Sequence, residues 1–400
     1  MKVLLIDVNC KSSSTGKIVY NLYSYLNMHG DEAAICYGRG ENIKERGIFK
    51  FGIDIETNIH ALLTRLTGYT GCYSFFSTRR LIKKIEEFKP DIIHIHELHA
   101  YFVNIKSLFI YLQRKRIRTI FTLHCEFDYT GKCGHALECE KWKTECSSCP
   151  HLKEYPSVYF FDHTNYMYRQ KRDLFNHLPN SIITSVSPWL TDRARMSFLK
   201  NKELYTIYNG IDMDLFKPRD TTALKTSLGI KNKKVVVAVA ANIMSVEKGG
   251  PFLETLAKQM PNIEFVLVGT ETTKIIHKEN IFYIPKVRNQ IELAEYYSLG
   301  DVFVICSIKE TFSLTCAEAI CCGTPIAGFK CGAPEKIFEP PYALFVEYGD
   351  LKKLKNAVQI QLENKLDGIR IYGQKFSKTR MLEEYRILYQ SIMNRAEGKK

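Results

Sequence analysis

No stretch of this 400-residue chain approaches the roughly 18–20 uncharged apolar residues that a membrane-spanning helix requires. A secretory signal is also missing: the apolar run Val3-Leu4-Leu5-Ile6 ends at Asp7 without a small-residue cleavage site. The 13 cysteines are an odd number, which argues against a disulfide framework and for a reducing compartment. Disordered and collagen-like classes are excluded by a composition that is 45% hydrophobic and 25% charged. There is no P-loop. Residues 12–17 read SSSTGK, but the pattern needs glycine at 11 and Ser or Thr at 18, where the chain has Lys11 and Ile18. The absences together predict a soluble, intracellular protein. What it has in excess is positive charge, 56 Lys and Arg against 43 Asp and Glu. A net +13 narrows the partners to nucleic acid, an anionic membrane surface or phosphate-bearing small molecules. Nucleic acid is disfavoured, since neither aromatic-interleaved basic strands nor a recognition helix is found.

The length predicts two or three domains, and the patterning supports two. Residues 2–7, 33–37, 91–96, 119–124 and 181–186 read as strands apolar on both faces. Helical spacing separates them, as at Ile18, Leu22 and Leu26. Ile59, Leu62, Leu63 and Leu66 mark an amphipathic helix over 57–66. The rhythm restarts with strands at 234–241, 264–269 and 302–307. Such alternation indicates parallel sheets covered by helices. The proline and charges of 215–220 suit a linker, so the expected division is 1–215 and 216–400, with the last helix a candidate to return to the first domain. Two basic clusters, Arg79-Arg80-Lys83-Lys84 and Arg114-Lys115-Arg116-Arg118, read either as solvated helix ends or as a surface for anionic lipid headgroups. Four aromatics in 69–76 lie beside the first.

The most specific stretch is KETFSLTCAEAICCGTPIAG, residues 309–328. Glu310 follows a strand and Glu318 lies inside the next helix, at the strand end where ligands bind in open α/β sheets. Carboxylates there accept hydrogen bonds from vicinal hydroxyls of a ribose or pyranose. The N–H groups of Phe312, Ser313 and Leu314 would open that helix and meet phosphate oxygens. Gly16 opens the first helix in the same way, or is a plain turn glycine. Asp212 and Asp214 match a metal-holding carboxylate pair, but beside a linker and away from a central strand end they are a chance match. Four thiols, Cys133, Cys139, Cys146 and Cys149, crowd an insert of about 125–160. They could close a tetrahedral structural zinc site, or be buried thiols packing a long loop.

The stretch 309–328 resembles the E-x7-E signature of glycosyltransferase family 4, and the resemblance extends over nearly the whole chain. Asn209-Gly210-Ile211-Asp212 with Phe216-Lys217-Pro218 resembles that family's interdomain segment. Glu247-Lys248-Gly249 resembles its phosphate loop, and Cys322-Gly323-Thr324-Pro325 its next strand entry. Residues 91–101, Thr122-Leu123-His124 and the cysteine insert resemble a bacterial surface-polysaccharide subgroup. The resemblance implies a GT-B fold, two Rossmann-like doubly wound α/β domains facing across a cleft, and retaining transfer of a hexose-type sugar. The implied donor is a nucleotide-diphosphate sugar, UDP- or GDP-linked, with no catalytic metal. A glycan or lipid-linked glycan is the implied acceptor, and the expected location is the inner face of the cell membrane. Carried over residue by residue, Gly16 is where diphosphate and sugar approach the backbone and Lys248 neutralises the leaving group. Glu318 binds the ribose, Glu310 contacts the transferred sugar, and His124 lies near its reacting centre or merely caps its strand. One departure stands out: Ile243 occupies the position five before the loop lysine, where the family usually has arginine, with Lys286 or Arg288 as substitutes. A nucleotide-sugar epimerase of the same architecture is the alternative enzyme, and a zinc-bearing nucleic-acid binder the disfavoured alternative from another class.

Overall fold

The computed structural model describes residues 1–364 and 366–397. The chain divides into two compact units, one of Met1–Ile207 with the chain from Leu382 onward, the other Tyr208–Met381. The first contains strands β1 (Lys2–Asp7), β2 (Glu32–Tyr37), β3 (Ile48–Lys50), β4 (Ile92–Ile95), β5 (Arg118–Leu123), β6 (Ser181–Ser185) and β7 (Glu203–Thr206). They form one parallel sheet in the order β3-β2-β1-β4-β5-β6-β7. Its helices are α1 (Ser14–Met28), α2 (Asp54–Thr67), α3 (Phe75–Phe88), α4 (Ile105–Lys115), α5 (Thr164–Asn176) and α6 (Pro188–Arg195). Val3, Leu4, Leu5 and Ile6 of β1 are all fully buried, as a central strand covered on both faces must be.

The second unit repeats the plan with β8 (Val235–Val239), β9 (Glu264–Thr270), β10 (Ile276–Lys278), β11 (Ile281–Pro285), β12 (Val302–Ile305), β13 (Ile326–Phe329) and β14 (Ala343–Val346). The order is β10-β11-β9-β8-β12-β13-β14, parallel except for the short edge strand β10. Helices α7 (Thr222–Leu228), α8 (Gly250–Lys258), α9 (Gln290–Leu299), α10 (Leu314–Cys321), α11 (Pro334–Ile337), α12 (Leu351–Glu363) and α13 (Ile369–Gly373) accompany it. One core joins Val236, Leu253, Leu267, Val304 and Val358 across sheet and helices. The last helix, α14 (Lys378–Glu397), begins in the second unit and ends in the first. There Tyr389 hydrogen-bonds His94 at 2.6 Å, and Arg386 pairs with Asp31.

Three features differ from the sequence expectations. The division falls after Ile207, so the proline-bearing 215–220 segment lies inside the second unit. Edge strands β3, β7, β10 and β14 are too short and too mixed to show in the pattern. The apolar stripe of α2 faces outward, since Thr57, His60 and Thr64 take the buried side. Among the described residues, no helix is long and apolar enough to cross a membrane.

The strand orders carry the functional consequence. In each sheet the chain builds outward from one strand and then returns to that strand's other side. The reversal lies between β1 and β4 in the first unit and between β8 and β12 in the second. Loops leaving the carboxyl ends of such a pair diverge, and the crevice they open is where doubly wound sheets bind ligands.

Candidate active site

At the second-unit reversal, the loop after β8 tightens into a turn at Val246–Lys248, with Ser245 Oγ accepting from the Lys248 N–H. Gly249 follows at φ 78°, and a Cβ there would lie 2.3 Å from the Cys306 carbonyl oxygen. Only glycine lets this loop rest on the end of the strand beside it. Ile308 N donates to Glu247 O at 2.9 Å and ties the two loops together. Lys248 Nζ thereby reaches Glu310 Oε1 at 2.7 Å. Glu310 is fixed at both backbone groups, its N–H donating to Cys331 O and its carbonyl accepting from Ala333 N.

Helix α10 opens at once. Ser313, at φ 72°, caps it by accepting from the Cys316 N–H, and Leu314 is its first residue. Phe312 is buried beside the rings of Tyr208 and Phe376, so it anchors the turn with its side chain. Further along the helix, Glu318 accepts from the Tyr297 hydroxyl at 2.7 Å. Burial, and next the Glu318 charge, push the Tyr297 hydroxyl well above its ordinary value, so it stays a donor. Lys248, Glu310, Glu318 and the opening turn of α10 are therefore gathered by loops and a helix at one sheet end. A cation beside a helix N-terminus suits an anion, and the carboxylates suit hydroxyl groups. Ile243 is not near this chemistry: it is buried in the hydrophobic core with Leu253 and Leu267. Its neighbour Asn242 is exposed and donates to Glu271. Lys286 and Arg288 are exposed on the segment after β11.

At the first-unit reversal, the start of α1 packs so closely that a Cβ on Gly16 would meet the Asn9 carbonyl at 3.1 Å. The Gly16 N–H donates to Ser13 Oγ at 3.2 Å, so this group is committed to capping the helix. Beside it lies a cavity of about 490 Å3 lined by Asn9, Ser13, Thr15, Arg39, Glu97 and His99 among others. His99 Nε2 lies 3.3 Å from Glu97 Oε1. Burial opposes charge on both, but the Cys125 and Glu97 contacts hold His99 well above its ordinary value, and His99 holds the Glu97 carboxyl low. Burial, and then the Glu97 charge, push the fully buried Asp7 carboxyl up.

His124 sits just past β5, with Nε2 3.0 Å from His96 Nδ1. The His96 ring lies tilted by 34° against that of His94 with centroids 4.0 Å apart, and His94 joins Thr122 and Tyr389, each at 2.6 Å. Burial lowers His124 to about 4 and His94 to about 3, so both are neutral at physiological pH. His124 thus belongs to a polar ladder and offers a hydrogen bond, not a cation.

In the insert, Cys133, Cys139, Cys146 and Cys149 line one small cavity and all four thiols are free. Gly131 N donates to Cys146 Sγ at 3.2 Å, and the Trp142 indole packs buried beside Tyr129. Among the described residues, no group of three or more His, Cys, Asp or Glu is placed to hold a metal ion, so the zinc expectation finds no support in this geometry. The insert is instead organised by hydrogen bonds, including Lys132 Nζ to the His151 and Glu154 carbonyls.

Glu97, Arg39 and Tyr297 went unnoticed in the sequence. Glu97 had a usable signal, since it follows directly on a strand that borders the reversal. Tyr297 had none: it lies in the last turn of α9 and finds Glu318 only through packing.

Comparison with known proteins agrees with this arrangement. Residues 15–215 match the model of Glycosyltransferase Family 4, and residues 234–364 that of Glycosyl transferases group 1. WcaC of Escherichia coli (strain K12), provisionally described as a colanic acid biosynthesis glycosyl transferase, is 23% identical over 98% of this chain and 100% of that protein. The N-acetyl-alpha-D-glucosaminyl L-malate synthase of Bacillus anthracis is 26% identical over 54% of this chain and 60% of its own length. Among solved structures, sucrose-phosphate synthase of Thermosynechococcus elongatus superposes with a TM-score of 0.67 at 14% identity, covering 98% of this chain and 99% of that one. HepE of Anabaena, in complex with UDP, gives 0.64 at 17% identity, covering 98% and 100%. The fold these share is GT-B. With that fold and a family model spanning half its length, the chain belongs to glycosyltransferase family 4 and is a glycosyltransferase.

Proposed function

We propose that the protein transfers a hexose-type sugar, with retention, from a nucleotide-diphosphate donor to a glycan acceptor carried on lipid. The product would be a bacterial surface polysaccharide such as an O-antigen, capsule or exopolysaccharide. The observation that carries this reading is the Lys248–Glu310 pair at the second-unit strand reversal, with Glu318 further along α10. The likeness to WcaC supports the polysaccharide role, and the complexes of HepE with UDP and with UDP-glucose support a nucleotide-sugar donor, UDP- or GDP-linked.

In this reading the second unit binds the donor. Lys248 turns its ammonium to the diphosphate, joined by the N–H groups of Phe312, Ser313 and Leu314 at the opening of α10. Charge builds on the departing diphosphate in an oxocarbenium-like transition state, so donors already fixed there stabilise it more than the ground state. They take the part a metal ion would otherwise play. Glu318, oriented by Tyr297, accepts from the ribose hydroxyls, and Glu310 from hydroxyls of the transferred sugar. The first unit serves the acceptor: Glu97, Arg39 and the α1 hydroxyls line its cavity, and the neutral His124 donates or accepts a hydrogen bond near the reacting centre.

A thermal-shift series with UDP-, GDP- and dTDP-sugars tests the donor assignment, because a ligand of the native state raises the melting temperature. One nucleotide class should stabilise the wild type and fail to stabilise Lys248→Ala. Equal shifts in the two proteins, or no shift with any donor, would remove the assignment.

A further inference from the structure

Helix α2 has its apolar residues on the side where a packed helix keeps its polar ones. Ile55, Ile59, Leu62 and Leu66 fall at i, i+4, i+7 and i+11, and they are 74%, 51%, 52% and 39% exposed. The inward face is polar and largely hydrogen-bonded, with His60 Nδ1 on Ser74 Oγ at 2.8 Å and Thr64 Oγ1 on the Tyr69 carbonyl at 3.0 Å, while Thr57 Oγ1 and His60 Nε2 are buried without a partner among the described residues. Turning the helix over would bury the leucines only by stranding these groups, so the outward stripe is built in.

Neighbouring elements extend the stripe into a surface. Phe75 and Phe76 open α3 at 59% and 67% exposure, and the N–H groups of Phe76 and Ser77 donate to Glu56 of α2, each at 2.8 Å. At the far end of α2, Tyr159 N donates to the Arg65 carbonyl, which brings the exposed rings of Tyr159, Phe160 and Phe161 alongside. Nine large apolar side chains on three adjoining segments far exceed the scattered exposure normal for a soluble surface.

The charge beside this surface is predominantly positive. Arg65, Arg79, Arg80 and Lys83 are exposed on α2 and α3. A cavity of about 390 Å3 next to them is walled by Phe49 and Phe51 and lined by Lys50, Arg80, Lys83 and Lys84, with Glu87 the one acid in its lining. The nearby acids are spent on partners: Asp54 on Lys50, Glu87 on Lys84 and Glu86 on Lys115. The same ion pairs engage Lys50 and Lys84, and Lys83 lies 4.0 Å from Glu87, so cations outnumber acids here by a modest margin carried by Arg65, Arg79 and Arg80. Aromatic and branched side chains framed by a cationic excess match the boundary between acyl chains and phosphate headgroups.

We propose that this face of the first unit docks on an anionic phospholipid bilayer, the α2 stripe and the flanking rings entering the acyl boundary and the cationic cavity receiving a lipid phosphate. The inference deepens the proposed function, on which its purpose rests, because a lipid-linked acceptor is presented at such a surface.

Sedimentation of the full-length protein with phosphatidylcholine vesicles, with and without phosphatidylglycerol, reads it directly. The wild type should pellet with the anionic vesicles, remain free with the neutral ones, and lose binding as salt rises. Ile59→Glu/Leu62→Glu should lower the bound-to-free ratio on the order of tenfold or more. Arg79→Gln/Lys83→Gln should weaken the preference for phosphatidylglycerol. Both variants change exposed residues, so the melting temperature and the donor-induced thermal shift should match the wild type. A wild type that ignores anionic vesicles, or variants that bind as it does, would overturn the proposal. So would a wild-type dimer split by Ile59→Glu/Leu62→Glu, which would assign the face to a second copy of the chain. Vesicle binding without any donor response would uphold the surface and sink the donor assignment.

Discussion

Replacing Lys248 by methionine separates what the Lys248–Glu310 pair does for the fold from what it does for the reaction. The pair is short, at 2.7 Å, but its side chains are 36% and 18% exposed and water screens it. Pairs of that kind contribute about 0.2–1 kcal/mol. Both residues are positioned by groups the substitution leaves alone: the Ser245 cap, the Glu247–Ile308 bond and the two backbone bonds of Glu310. Lys248→Met should therefore cost under about 1 kcal/mol and shift the melting temperature by roughly 2–4 °C at most. Turnover should fall far more. Losing one fixed charge aimed at a developing anion removes about 2.7–4 kcal/mol of transition-state stabilisation, on the order of 100- to 1000-fold in kcat. Glu310→Gln should behave likewise, and in a double-mutant cycle the combined variant should lose less than the two single losses added together. Differential scanning calorimetry supplies the stability arm and release of nucleoside diphosphate the kinetic arm. Wild-type turnover in Lys248→Met would refute the assignment. A melting temperature that collapses would show the pair to be structural.

Further outcomes follow from the same geometry. Gly249→Ala should destabilise by about 1–3 kcal/mol in urea titrations and abolish the donor-induced thermal shift, since the new Cβ meets the Cys306 backbone at a φ of 78°. Chelation by EDTA should leave turnover unchanged if Lys248 and α10 carry the diphosphate charge, and a loss restored by a divalent cation would contradict that role. Burial lowers His94 to about 3, below its unfolded value near 6.5, so the unfolded chain binds the extra proton and stability falls as pH drops through that window. Against wild type, His94→Gln should flatten the stability profile between pH 6.5 and 5 by about 1.4 kcal/mol per pH unit; parallel profiles would mean that His94 is charged in the fold. Tyr297→Phe removes the hydroxyl that donates to the Glu318 carboxylate and should weaken donor affinity, read as KM, more than kcat.

How much of this was legible before folding differs from element to element. β1, β4, β5, β8 and β12 were plain because a central parallel strand is apolar on both faces and nothing else in a short run looks like it. Glu310 and Glu318 could be read because one follows a strand closely and the other lies along the next helix, which is a local fact. The reach of Lys248 to Glu310 spans 62 residues in sequence, and no pattern reports such a distance. Ile243 stood out as a missing arginine, yet its side chain turned out to serve the core, which only the placement of β8, β9 and α8 around it could reveal.

The amino-acid order by itself determined the central strands and the longer helices between them, the excess of positive charge, and the local motif at 309–328, because periodicity and short spacing act over a few residues. Tertiary structure alone decided the rest, because strand order and packing bring together groups that are remote along the chain. It put the strand reversals where the charged loops meet and committed the Gly16 N–H to Ser13. It arranged the insert's thiols around one cavity without a metal set. And it turned the α2 stripe outward, because His60 and Thr64 find their partners only on the inner side.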